Sequence, residues 1–78
     1  MKKAKKGNPV NLIMLRHIIG IKGVKKSAIV KALDTTYLTL QRKLAGETEF
    51  TLWEANTLTE VLRLSTVERD AIFFGDLQ

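Results

Sequence analysis

The chain has 78 residues, no cysteine, a hydrophobic content of 45% and a formal net charge of +5. That length makes one small domain rather than two, and the composition is that of a globular chain, not a disordered one. Without cysteine there is neither a disulfide nor a thiolate metal site, so stability must come from the core, with dimerisation as a further source.

The charge is strongly polarised. Residues 1–46 hold eleven Lys and Arg against one acid, Asp34, whereas residues 47–78 hold two Arg against seven acids. A basic half of this kind suits a polyanion, with the acidic half turned elsewhere. The opening basic run (Lys2, Lys3, Lys5, Lys6) followed by apolar residues from Val10 has the outline of a secretory signal. Asn11, Arg16 and His17 interrupt the apolar part, however, and no small-x-small cleavage site follows. No window approaches the roughly 18 apolar residues of a membrane span. The chain reads as a soluble, cytoplasmic protein with no membrane partner, and the absence of cysteine fits a reducing compartment.

In chain order, residues 1–8 read as a flexible basic arm and 9–78 as a single domain. Asn8 and Pro9 form a helix start, N-cap followed by proline at the first helical position. Val10, Leu12, Ile13, Met14, Leu15, Ile18, Ile19 and Ile21 then predict a largely buried first helix over about residues 9–21, ending near Gly20–Gly23. Lys25-Lys26-Ser27 opens a short second helix whose buried stripe is Ile29, Val30 and Leu33, with Lys26 and Lys31 outside it. Asp34-Thr35-Thr36 breaks that helix. Thr36 caps a third helix from Tyr37 to Ala45, anchored by Leu40 and Leu44 and terminated by Gly46. Thr51-Leu52-Trp53-Glu54 is a capping box with Phe50 at the staple position. It opens a fourth helix with Leu52, Ala55, Leu58 and Leu62 as its stripe, ending near Leu64. Ser65-Thr66-Val67-Glu68 is a second box, opening a fifth helix through Phe74. No segment alternates as a strand does. The fold class is all-α: five helices in one compact domain, with the second and third forming a helix-turn-helix candidate.

Catalytic chemistry is not expected. His17 is the only imidazole, and it falls within the apolar run of the first helix, where a partly buried structural role is the ordinary one. The carboxylates mostly occupy first helical turns or outer faces, where capping and the helix dipole account for them. The glycines are scattered, so no phosphate-cradling loop is present, and no metal-ligand spacing occurs. The expectation is a protein that is not an enzyme and has no cofactor, metal or small-molecule ligand.

The stretch from Lys25 to Phe74 resembles the helix-turn-helix of the phage Cro and repressor type, the Xre-like family. The residues that carry the likeness are Val24-Lys25-Lys26, Ile29-Val30 and Leu33, Thr35-Thr36, Thr39-Leu40, Lys43-Leu44-Ala45-Gly46, and Phe50-Thr51-Leu52 with Glu54. Val61-Leu62-Arg63-Leu64-Ser65 and Ile72-Phe73-Phe74 resemble a short phage variant that ends in Ile-Phe-Phe. Departures occur at Lys26, Val30, Asp34 and Ala45, which stand where the family usually has Gln, a small residue, Gly and Asn. The likeness implies a lambda-repressor-like DNA-binding domain whose third helix enters the major groove. Tyr37, Leu38, Gln41 and Arg42 are then the base-reading positions. Gln41 can pair with adenine and Arg42 with guanine, or either takes a phosphate, while Tyr37 and Leu38 meet thymine methyls or belong to a protein interface. Phosphate contacts fall to Lys25, Lys26, Ser27, Thr36 and Lys43, with Lys2, Lys3, Lys5 and Lys6 as an arm that enters a groove or remains a solubilising tail.

The implied function is sequence-specific recognition of double-stranded DNA by a transcriptional regulator, with the family favouring a homodimer on a palindromic operator. The alternative is a protein-interaction module that has kept this fold and lost operator binding, acting as an antirepressor or antitoxin. Tyr37, Leu38, Ala45 and Glu47 favour that reading. Nonspecific binding of RNA or an anionic membrane is a third. Trp53, in the acidic half, is expected in the core or at a dimer contact, and Phe73 and Phe74 close the core or face a second copy.

Overall fold

A computed structural model describes residues 10–74. It is all-helical: α1 Leu12–Lys22, α2 Lys26–Ala32, α3 Tyr37–Leu44, α4 Leu52–Val61 and α5 Thr66–Phe73, with no strand among the described residues. None of these helices is long and apolar enough to cross a membrane. The Lys2–Lys6 arm lies outside the described residues.

Each helix drives at least one side chain into a common centre. Leu15 of α1, Ile29 of α2, Leu40 of α3, Leu58 of α4 and Ile72 of α5 are completely enclosed, as is Leu62 just past α4. Burying an aliphatic side chain of this size contributes about 1.5–3 kcal/mol, so the centre holds the five short helices together where none would persist alone. α2 packs on α3 and α4, and α1 packs on α5. Phe50, half-buried against the core, stands edge-on to Phe73 with ring centroids 6.3 Å apart.

Local chemistry sets the boundaries. Asn11, Thr36, Thr51 and Ser65 each accept a backbone N–H from three residues on, and Glu54 and Glu68 return the bond to complete two capping boxes. α2 alone begins without a side-chain cap. At the other ends, α2, α3 and α4 each close with paired backbone bonds around a left-handed residue: Asp34 (φ 54°), Gly46 (φ 86°) and Arg63 (φ 53°).

Four expectations need correction. α1 starts at Leu12, capped by Asn11, rather than at Pro9 capped by Asn8, which with Pro9 lies outside the described residues. The reason is tertiary: the Asn11 N–H donates to the carbonyl of Ile72 in α5 at 2.7 Å, pinning Asn11 in a non-helical conformation. Second, α1 is two-sided rather than largely buried. Leu15, Ile18 and Ile19 face the core, but Ile13 and Ile21 are 78% and 68% exposed, and His17, spaced four from each, shares their outer face. Third, Leu52 is exposed rather than part of the buried stripe, and Trp53 is exposed too, which removes the core from its two expected places and leaves the dimer contact untouched. Both residues occupy the first turn of α4, where side chains lean off the N-terminal end, and Phe50 takes the inward place. α4 also stops at Val61, three residues before Leu64, because Arg63 turns left-handed.

Candidate nucleic-acid interface

The described part of the basic half, residues 10–46, folds into α1, α2 and α3, with a short turn between the last two. Four residues, Leu33–Thr36, separate the helices. Leu33 is buried. Asp34 supplies the left-handed step: its N–H donates to Lys31 O at 3.2 Å and that of Thr35 to Val30 O at 3.1 Å. Asp tolerates this conformation better than most residues, which explains how the turn forms without glycine. Thr36 then extends the chain and starts α3. Its hydroxyl accepts the Thr39 N–H at 3.1 Å and donates to Thr39 Oγ1 at 2.9 Å.

With Leu40 and Leu44 in the core, helical periodicity turns the 37, 38, 41, 42 row the other way. Tyr37 and Leu38 are 54% and 59% exposed, Arg42 is exposed and Gln41 is half-buried. Gln41 is also held: its Nε2 donates to the Tyr37 phenol oxygen at 3.0 Å, one turn back. These four base-reading candidates therefore share one face. Lys25, Lys26 and Ser27 are exposed at the start of α2. Thr36 is exposed as well, with its hydroxyl hydrogen already given to Thr39.

Lys43 departs from its expected phosphate role. It is 9% exposed and sits three residues after Leu40, on the same inward side of α3. Its Nζ lies 3.1 Å from Glu54 Oε1, donates to the Glu49 carbonyl at 2.8 Å and stands 5.8 Å from the centroid of the Phe50 ring. Lys43 is a strut between α3 and α4, with no charge to offer outward. The alternating Arg42-Lys43 pair looks uniformly basic in sequence, and only the capping-box Glu54 signals that the second of the two has an internal partner.

Arg16 went unassigned in the sequence and belongs with this surface. Together with Lys26 it lines a shallow depression that also touches Ile19, Gly20 and Leu44, so α1 brings one more cation beside α2 and α3. A second depression is lined by Val24, Lys25, Ser27, Ala28 and Lys31. The signal for Arg16 was its place as a charged break in an apolar run. Beyond α3, the loop to α4 exposes Glu47 and Glu49 and marks where the basic surface ends.

No group of three or more His, Asp or Glu side chains suited to a metal ion occurs among the described residues. Comparisons with protein-family models, with curated proteins and with solved structures give no match.

Proposed function

We propose that this chain is a DNA-binding transcriptional regulator of the phage Cro and repressor type, acting in the cytoplasm, with α3 as its reading helix. The observation that carries the reading is the outward row on α3: two long polar side chains, Gln41 and Arg42, beside two exposed apolar ones, on a helix whose opposite face is locked into the core. Rigid mounting is what base reading needs, because edge recognition depends on fixed donor and acceptor positions. The surrounding charge supports it. Lys25, Lys26, Lys31 and Arg16 are exposed on α1 and at α2, and such cations attract the phosphate backbone without regard to sequence, which sets affinity and register. Gln41 and Arg42 supply discrimination, adenine for the amide and guanine for the guanidinium.

A second reading, a protein-interaction module on the same fold, draws on the exposure of Tyr37 and Leu38. Apolar side chains of this size in the reading row suit a protein groove as well as thymine methyls. The two separate experimentally. Random-site selection of bound duplexes, followed by titration of the selected and a scrambled duplex at several salt concentrations, gives a preferred site. Log affinity then falls with log salt at a slope of about −4 to −5, as expected for about five phosphate contacts. Replacing Lys25 and Lys26 by Ala weakens both duplexes alike and flattens the slope by up to about two, whereas Arg42→Ala costs more on the preferred duplex than on the scrambled one. Absence of binding at low salt overturns the DNA reading in favour of the protein partner.

A further inference from the structure

We infer that Tyr37 and Gln41 form one coupled reading unit, in which the phenol fixes the amide so that it selects adenine. This rests on the DNA-binding reading above and goes beyond it by assigning Tyr37 a positioning role rather than a methyl contact. The amide of glutamine has one acceptor oxygen and two donor hydrogens. One of those hydrogens is committed, since Gln41 Nε2 donates to Tyr37 Oη at 3.0 Å. With the hydrogen anti to Oε1 as the committed one, what remains is one N–H beside one C=O. Adenine presents the complement in the major groove, an N7 acceptor beside an N6 donor. Guanine presents two acceptors there, and an amide with only one hydrogen left cannot satisfy both. A free glutamine adapts by rotating its amide. Gln41, tied one turn back along α3 and half-buried beside the more exposed phenol, keeps Nε2 toward that oxygen when the phenol hydrogen is engaged elsewhere, because the phenol can then only accept. The phenol keeps its own hydrogen for water or a phosphate oxygen. Tyr37 therefore narrows the choice of base through Gln41, without touching a base edge itself.

The test is a double-mutant cycle read as base preference. Duplexes carrying each of the four base pairs at every position of the selected site are titrated against the unaltered chain, Tyr37→Phe, Gln41→Ala and the double variant. Phenylalanine keeps the ring and removes only the hydroxyl, so the thermal midpoint is expected to stay in place. Gln41→Ala is expected to erase an adenine preference at one position, and Tyr37→Phe to reduce preference at that same position by about threefold to tenfold while leaving the others alone. In the Gln41→Ala background, Tyr37→Phe is expected to have no further effect. Independent effects of the two substitutions, an effect of Tyr37→Phe at another position, no effect of it at all, or a Gln41 preference for guanine each overturn the coupling while leaving DNA binding intact. Failure of the unaltered chain to bind any duplex overturns the coupling together with the reading on which it rests.

Discussion

The starts of α4 and α5 are built on the same plan and differ in one property. Each opens with a hydroxyl N-cap and a glutamate three residues on, Thr51 with Glu54 and Ser65 with Glu68. In each, a lysine from an earlier helix reaches the glutamate and also donates to the carbonyl two residues before the cap. Lys43 of α3 does so with Glu54 at 3.1 Å and Glu49 O at 2.8 Å, and Lys22 of α1 with Glu68 at 3.5 Å and Arg63 O at 3.3 Å. The difference is water. The Lys43 and Glu54 side chains are each 11% exposed, whereas those of Lys22 and Glu68 are 29% and 34% exposed. Identical connectivity therefore does two jobs. The buried copy holds α3 against α4, and the exposed copy ties the end of α1 to the start of α5.

The largest expected consequence is at Lys43. Removing one member of a buried ion pair strands the other, so Lys43→Ala is expected to cost about 3–5 kcal/mol in chemical denaturation. Replacing Lys43 by Met and Glu54 by Gln together is expected to recover part of that loss, because no charge is then left in the interior and the amide oxygen still accepts the Thr51 N–H. Lys22→Ala, at the exposed copy, is expected to lose several-fold less, since water and salt already screen the pair. Equal losses at Lys43 and Lys22 would erase the distinction between the two copies.

The contrast also marks what the sequence could and could not tell. Both capping boxes were legible, as were Thr36 and the Leu40–Leu44 anchors, because these depend on residues within one or two turns of one another. The outward placement of Tyr37, Leu38 and Arg42 followed from the same periodicity. Lys43 did not follow, because its partner is eleven residues away on another helix. Nor did the start of α1, which is fixed by a backbone bond to Ile72 at the other end of the chain. The outer face of α1 was hidden for a different reason. Its apolar residues are so dense that either side could have been the buried one, and only packing on α5 decides between them. Side chains in the first turn of α4 misled in a similar way: Leu52 continues the stripe by spacing and leaves it by direction.

A smaller effect separates the two left-handed turns that precede the boxes. Gly46 (φ 86°) has no Cβ, and one added there would lie 3.1 Å from Leu12 Cδ1, so Gly46→Ala meets both a disfavoured backbone and a neighbouring side chain. Its expected cost is about 1–2 kcal/mol. Arg63 (φ 53°) already bears that backbone penalty, and its contact with Lys22 is through the main-chain oxygen, which glycine keeps. Arg63→Gly is therefore expected to stabilise the fold by about 0.5–1 kcal/mol, the relieved strain outweighing the extra freedom of the unfolded chain. Thermal unfolding of the two variants side by side checks both signs. A loss at Arg63→Gly would mean that its side chain contributes more than the backbone costs.

The smallest effect is in the pH dependence of the exposed copy. The Glu68 carboxyl is held below its ordinary range, first by the bond it accepts from the Ser65 backbone N–H and then by the nearby Lys22 ammonium, with partial burial working the other way. A carboxylate whose folded pKa lies below its unfolded one adds stability that is fully present above the unfolded value. That stability is lost as pH falls through the folded one. Acidification from neutral through the carboxylate range is thus expected to lower the thermal midpoint of the unaltered chain, with Glu68 contributing part of the fall. In Glu68→Gln that part is absent: the amide still accepts the Ser65 N–H, weakly, but has no charge to lose. The midpoints of the two chains are expected to differ at neutral pH and to draw together in acid. Parallel curves would show that Glu68 does not contribute to the acid limb, and the exposed copy of the device would then be a geometric echo of the buried one with no electrostatic share in holding α1 to α5.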